Sequence, residues 1–376
     1  MTSVLRTLVR LSIEPTDSAW VEEARDVLRE TPPAHWETIE KILEQHHIVS
    51  LIARAIAIHD LSEDVPAASR SRLEQAYRKT LLTNTVLMRT TAGVIAALRR
   101  NGIEPVVWKG AVLADSFYPD LGCRWLGDID LVIQASQAAR AAEALASLDF
   151  RKVTVSADAN VYQNDMGVIL DVHHRVRMFE DREALASTID MTPRHIDLPT
   201  ICVLDPTTMM ALLIVHMDGH RGAEGLVLRW LLDIAFVMRH WGQSIDDERF
   251  DHLLPSDRHR LLFLRTAGFL ASEFGATFPD ALVTAAAEVP PLRLAEVLRY
   301  RRLSQWNLAT LRGWLSLGAC LLGVRPRRGR MLPQPSDILT RPHDAATERA
   351  ALKRFVKSSR EQSSADHDGR PGTISA

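Results

Sequence analysis

Residues 108–133 read WKGAVLADSFYPDLGCRWLGDIDLVI, a Lys-Gly pair, an arginine in a glycine-flanked loop and an Asp-Ile-Asp triplet that runs into apolar sequence. Side chains two apart in a strand share a face. A strand over 128–133 therefore projects Asp128 and Asp130 together and turns Ile129 and Leu131 the other way. Carboxylates held side by side repel unless a cation sits between them, so the pair suits a hard divalent ion such as magnesium. Standing alone, the triplet reads equally well as a solvated strand entrance.

Working outward, the β-branched run PVVW predicts a strand starting near Pro105, followed by a short helix over 111–118 and a loop over 119–127. After the 128–133 strand, ASQAARAAEALASL predicts a helix, and FRKVTVS and GVILDVHHRV predict two further strands. This α/β unit, residues 101–200, lies between helical regions. Upstream, from Ala19 to about Leu98, apolar residues recur at helical spacing, punctuated by Pro32, Pro33 and Pro66 and stopped by Asn101-Gly102. Downstream, the prolines of HIDLPTICVLDPTTMM mark a connection, and helical spacing resumes from Thr207 to about Val324. Four segments follow: a helical region over 1–100, the α/β core over 101–200, a helical region over 201–324, and a polar, partly disordered tail over 325–376. The basic RPRRGR of the tail lacks interleaved aromatics and reads as a solvated cluster.

A third acid comes from the second strand. Asp171 stands between Leu170 and Val172, where a carboxylate requires a partner or an ion. If the two strands are neighbours, three carboxylates converge in the manner of sites that hold two divalent ions for phosphoryl displacement. Lys109 and Gly110 follow the first strand and open a helix, where backbone N–H groups favour phosphate oxygens. Arg124 either clamps phosphate bidentately or forms a structural salt bridge to the nearby acids. His173 shares the face of Asp171 and is a candidate substrate contact.

The span 108–133 followed by ILDVHHRV resembles the uncharacterised nucleotidyltransferase family of the DNA polymerase beta-like superfamily in the order and spacing of these motifs. The resemblance extends to HHIVSLIARAI, LLIVHMDGH and LRWLLDIAFVM, covering most of residues 35–280. It implies an α+β fold: a small mixed-sheet nucleotidyltransferase core flanked by α-helical N- and C-terminal regions. It further implies that Asp128 and Asp130 ligate metal, that Asp171 completes the site or serves as base, and that Gly110 lies in the nucleotide-binding turn. Two Mg2+ ions and an NTP co-substrate are the implied requirements, with transfer of a nucleoside monophosphate to a hydroxyl of a small molecule, sugar or peptide. Where the superfamily has a Gly-Ser turn this chain has Lys109-Gly110, so Lys109 would take the serine's role. Trp108 stands where the family usually has leucine, and His174-Arg175 where a histidine-tryptophan pair is common.

Composition sets the remaining bounds. A formal net charge of -2 on 376 residues gives no push toward nucleic acid or anionic membranes, and neither is expected as a partner. Cys123, Cys202 and Cys320 are too scattered for a disulfide framework, which with the lack of a leader pattern suggests a cytoplasmic protein. No uninterrupted apolar run approaches the ~20 residues that cross a bilayer, and GWLSLGACLLGV reads as a buried helix. Two rival readings remain: a catalytically inactive module of the same fold, and a metal hydrolase built on His216, His220 and Asp233. The second lacks the glutamate that HExxH hydrolases carry after the first histidine. His46-His47 reads as a core or surface pair.

Overall fold

Upstream of the core, the helical spacing resolves into α1 (Thr2–Ile13), α2 (Ser18–Glu30), α3 (Pro33–Gln45), α4 (Val49–Ile58) and α5 (Ala67–Arg100). The computed structural model describes residues 2–13, 18–176, 187–224, 226–292, 294 and 297. The readings of 313–324 as a buried helix and of 325–376 as a tail, with Cys320 and RPRRGR, lie outside the described residues.

α5 ends as its sequence dictates. Gly102 takes a φ of 66°, and the Ile103 and Gly102 amides donate to the carbonyls of Leu98 and Arg99, satisfying the last turn. Among the described residues, α5 is the one helix long and apolar enough to cross a membrane, and half of its apolar window is buried inside the fold.

The core then follows as β1 (Val106–Val107), α6 (Gly110–Ser116), β2 (Ile129–Val132), α7 (Ala138–Ala146), β3 (Arg151–Val155), β4 (Ala159–Gln163), β5 (Ile169–His173), β6 (Thr188–Met191) and β7 (Ile201–Leu204). They form one mixed sheet in the order β3-β4-β5-β2-β1-β7-β6. β2 runs antiparallel to β1 and parallel to β5, in a register that sets Asp130 directly beside Asp171. All four residues of β2 are buried, whereas β3 is exposed along its length and carries Arg151 and Lys152, as suits an edge strand.

Three strands depart from the sequence reading. β4, β6 and β7 are absent from it, and β7 falls inside the segment read as a proline-marked connection. Its four residues, ICVL, lie between Pro199 and Pro206, too few to display a period. What makes them a strand is parallel pairing with β1, Val106 to Cys202 and Val107 to Val203.

Helices return in α8 (Pro206–Glu224), α9 (Leu228–Trp241), α10 (Asp247–Leu253), α11 (Asp257–Phe274) and α12 (Asp280–Ala287). Asp205 starts α8 by accepting from the amides of Thr207 and Thr208, with Pro206 at the first helical position. The fold is therefore α+β, a mixed sheet flanked by helical regions on both sides of the sequence.

The loop between α6 and β2, which carries Arg124 and leads into Asp128, is tied to α5 by one side chain. The fully buried Asn84 donates from Nδ2 to the carbonyls of Leu121 and Arg124, each at 2.6 Å. Asn84→Ala leaves both carbonyls without that donor and should lower stability by about 2 kcal/mol or more in urea denaturation. An unchanged midpoint would mean that the loop is held elsewhere.

Candidate active site

Lys109 is the second residue past β1 and takes a φ of 49°, a left-handed conformation that a non-glycine residue adopts at a cost of about 1–3 kcal/mol. The turn aims its side chain back at the sheet, where Nζ donates to Asp130 Oδ1 at 2.8 Å. Nζ also lies 4.5 Å from the centroid of the buried Trp108 ring. Gly110 leaves room for what closes over the turn. A Cβ there would stand 3.1 Å from Leu126 Cδ2 and 3.2 Å from Arg124 Nη1.

Parallel pairing of β2 with β5 places His173 beside the two acids. Its Nε2 is 3.1 Å from Asp171 Oδ2 and 3.5 Å from Asp130 Oδ1, while its ring meets Trp108 edge-on at 4.7 Å. Asp130, Asp171 and His173 present ligand atoms that all lie within 4.8 Å of one another. Both Asp171 Oδ1 and His173 Nε2 are buried without a hydrogen-bond partner. Orphaned buried atoms of this kind at the meeting point of two carboxylates fit a cation.

The environments of the acids differ. Burial pushes Asp130 up, but the charge of Lys109, its hydrogen bond to the carboxylate and the nearby His173 outweigh it and hold this carboxyl well below the usual range. Burial and the neighbouring Asp130 charge push half-buried Asp128 the other way, to about 6. Burial disfavours the charged form of His173, yet the flanking Asp130 and Asp171 raise it above an ordinary imidazole.

Lys109, Asp128, Asp130 and Asp171 line a cleft of about 370 Å³, whose remaining wall includes Arg124, Arg229, Trp230, His216 and His220. Of the residues singled out from sequence, Lys109, Asp128, Asp130, Asp171 and His173 therefore gather around β2 and β5. Arg124 lines the cleft too, but its guanidinium is engaged by another partner. Its Nε and Nη2 donate to the two oxygens of Asp233 on α9, at 2.7 and 2.8 Å, and Tyr118 donates its hydroxyl to the same carboxylate. The pair is almost wholly buried. Arg124 does form a salt bridge, but not to the nearby acids as its sequence position suggests: its partner is on a helix more than a hundred residues away.

This engagement also bears on the histidine-hydrolase reading. His216 and His220 lie with ring centroids 4.4 Å apart, tilted at 53°, on the wall of the cleft, but both Asp233 oxygens are already bound by Arg124 and Tyr118. Burial, with the charges of Lys109 and His220, drives His216 down to about 3.

Sequence reasoning passed over Trp108 as a site residue and His46-His47 as a connector. The Nδ1 of His46 accepts the Leu228 amide at the start of α9, and His47 stacks on Trp125 at 5.0 Å at the rim of the cleft. Trp108 had a signal, since a tryptophan replaces the family's leucine beside the Lys-Gly pair. His46 had none.

Residues 32–271, well over half of the chain, match the model of a family described as uncharacterised nucleotidyltransferase. No curated protein matches. Among solved structures, the solution structure of the antibiotic-resistance factor ANT(2'')-Ia is 13% identical, with 47% of this chain and 94% of that one covered and a TM-score of 0.38. The crystal structure of ANT(2'')-Ia with adenylyl-2''-tobramycin is also 13% identical, covering 46% and 98% at a TM-score of 0.37. An antigenic nucleotidyltransferase-like protein from Paracoccidioides brasiliensis is 17% identical, covering 53% and 96% at 0.33.

Two measurements test this geometry. Asp233→Ala strands a buried guanidinium and should cost roughly 3–5 kcal/mol in chemical denaturation, whereas Arg124→Met with Asp233→Leu should cost far less. A loss below about 1 kcal/mol in the single variant would be the behaviour of a solvated pair. His216 has a folded pKa below its unfolded value, so the unfolded chain binds the proton first. Its contribution to stability is complete above pH 6.5 and is lost as pH falls toward about 3. His216→Phe should flatten that limb of the stability profile; superimposable profiles would refute the burial argument.

Proposed function

Because the chain belongs to the uncharacterised nucleotidyltransferase family, we propose that it transfers a nucleoside monophosphate from an NTP to a hydroxyl of a small molecule, sugar or peptide, with magnesium as the metal. The observation that carries the reading is the register of β2 on β5, which brings Asp130 against Asp171 in a cleft that Asp128 also lines.

Asp128, Asp130 and Asp171 would hold the metal, with His173 at its edge. Bound there, a divalent ion supplies Lewis-acid stabilisation of phosphate charge and lowers the pKa of an acceptor hydroxyl. The chain's own groups do the rest. Lys109 adds a fixed positive charge at the end of β1, beside the N-terminal amides of α6, which favours phosphate oxygens in the cleft. Asp171, whose Oδ1 has no partner within the protein, is placed to receive the acceptor proton. As the acceptor oxygen bonds to the α-phosphorus, the bond to the β-phosphate oxygen breaks and pyrophosphate leaves with the electron pair. The reading assigns acceptor choice to the helical regions, which line the same cleft through His216, His220, Arg229 and Trp230.

Calorimetric titration of each NTP, with and without magnesium, tests the assignment. Wild type should bind at least one NTP in a magnesium-dependent manner, and the Asp128→Asn, Asp130→Asn double variant should lose that binding by more than about tenfold, the scale of a single lost charge-assisted contact. An absence of NTP binding in folded wild type would instead identify the core as a non-catalytic scaffold.

A further inference from the structure

The acids do not explain the other wall of the cleft, where Arg124 and Arg229 approach it together. Asp233, four residues after Arg229 on α9, is the acid nearest in sequence that could neutralise it. Its carboxylate is spent: Oδ1 accepts from Tyr118 and Arg124, and Oδ2 from Arg124. Arg229 donates from Nη1 to the Trp125 carbonyl at 3.1 Å, and its guanidinium lies 5.1 Å from the Trp125 ring centroid. Its Nε is buried and has no acceptor. Among the described residues no carboxylate lies within ion-pair distance of it. Asp233 thus neutralises Arg124, and Arg229, felt at longer range by Asp128, is left as a planar fork at the cleft without an ion-pair partner.

We propose that Arg229 is an anion-binding residue that takes the β- and γ-phosphates of the incoming triphosphate, in the cleft that the carboxylates also line. The choice of a triphosphate as the anion rests on the nucleotidyltransfer reading above; the existence of the anion site does not. A guanidinium matches phosphate oxygens bidentately, and one already seated against an aromatic ring and a carbonyl loses little freedom on binding. The surroundings agree. Burial and the charge of Arg124 bring Arg229 down to about 10, as expected for a cation without a full counter-charge. Lys109 and Arg229 both oppose protonation of His216.

The probe is inorganic pyrophosphate, titrated calorimetrically in the presence of EDTA so that no metal contributes. Wild type should bind it, Arg229→Gln should bind about tenfold more weakly or worse, and Arg229→Lys should fall between them. The Asp128→Asn, Asp130→Asn variant should keep or tighten binding, having lost two negative charges and freed Lys109. Glycerol phosphate, a monoester of the kind an acidic acceptor would carry, should bind more weakly than pyrophosphate. Circular dichroism confirms folding of each variant, and Arg229→Lys carries the comparison should Arg229→Gln unfold. Equal binding by wild type and the Arg229 variants, or no binding by wild type, overturns the proposal, and tighter binding of the monoester overturns the assignment to a triphosphate. Metal-free pyrophosphate binding that depends on Arg229, alongside failure of magnesium-dependent NTP binding, would uphold the anion site while removing the nucleotidyltransfer reading.

Discussion

Parallel pairing of β2 with β5 forces two carboxylates, Asp130 and Asp171, into neighbouring positions in a mostly buried sheet. Like charges so close are unfavourable in a medium less polarisable than water. The surrounding residues are arranged to relieve this. Lys109 adopts a left-handed backbone so that its ammonium reaches Asp130, and His173 follows Asp171 by two residues and so stands on the same side of the sheet. Trp108 lies against both of these side chains. The strain of the Lys109 turn and the unusual tryptophan thus have one cause, the need to hold positive charge beside paired acids.

A second buried charge pair joins the sheet to the helices. Arg124 and Tyr118 belong to the segment between α6 and β2, and both close on Asp233 of α9. Removing two charges from water is costly unless each finds a well-shaped partner, and here the bidentate fork and the tyrosine hydroxyl supply one. His46 fastens the same helix start from the N-terminal side, accepting the Leu228 amide at Nδ1 and the Arg229 amide at its carbonyl. The three regions of the chain therefore meet at α9, beside the cleft. The same arrangement leaves Arg229 at the cleft with a buried Nε that has no acceptor, because Asp233 satisfies Arg124.

Legibility in sequence followed the range of the interaction concerned. Helical stretches such as α5 showed themselves because side chains three and four apart share a face whatever lies beyond them. The acid-bearing strands showed themselves by β-branched residues flanking a carboxylate, and their family resemblance by the order of short motifs. β7 stayed hidden because four residues between prolines carry no period; only the distant β1 makes them a strand. Arg124 was ambiguous for a related reason, since Asp128 and Asp130 are near it in sequence while its partner, Asp233, is near only in space.

By itself, then, the sequence determined the succession of helical, α/β and helical regions and the identity of the three acids, because local periodicity and motif spacing are properties of neighbouring residues. Tertiary structure alone decided that Asp130 and Asp171 are in register, that Lys109 answers Asp130, that Arg124 is consumed by Asp233 and that Arg229 is left over. Those outcomes depend on which charges desolvate together, and that is set by the packing of strands and helices brought together from distant parts of the chain.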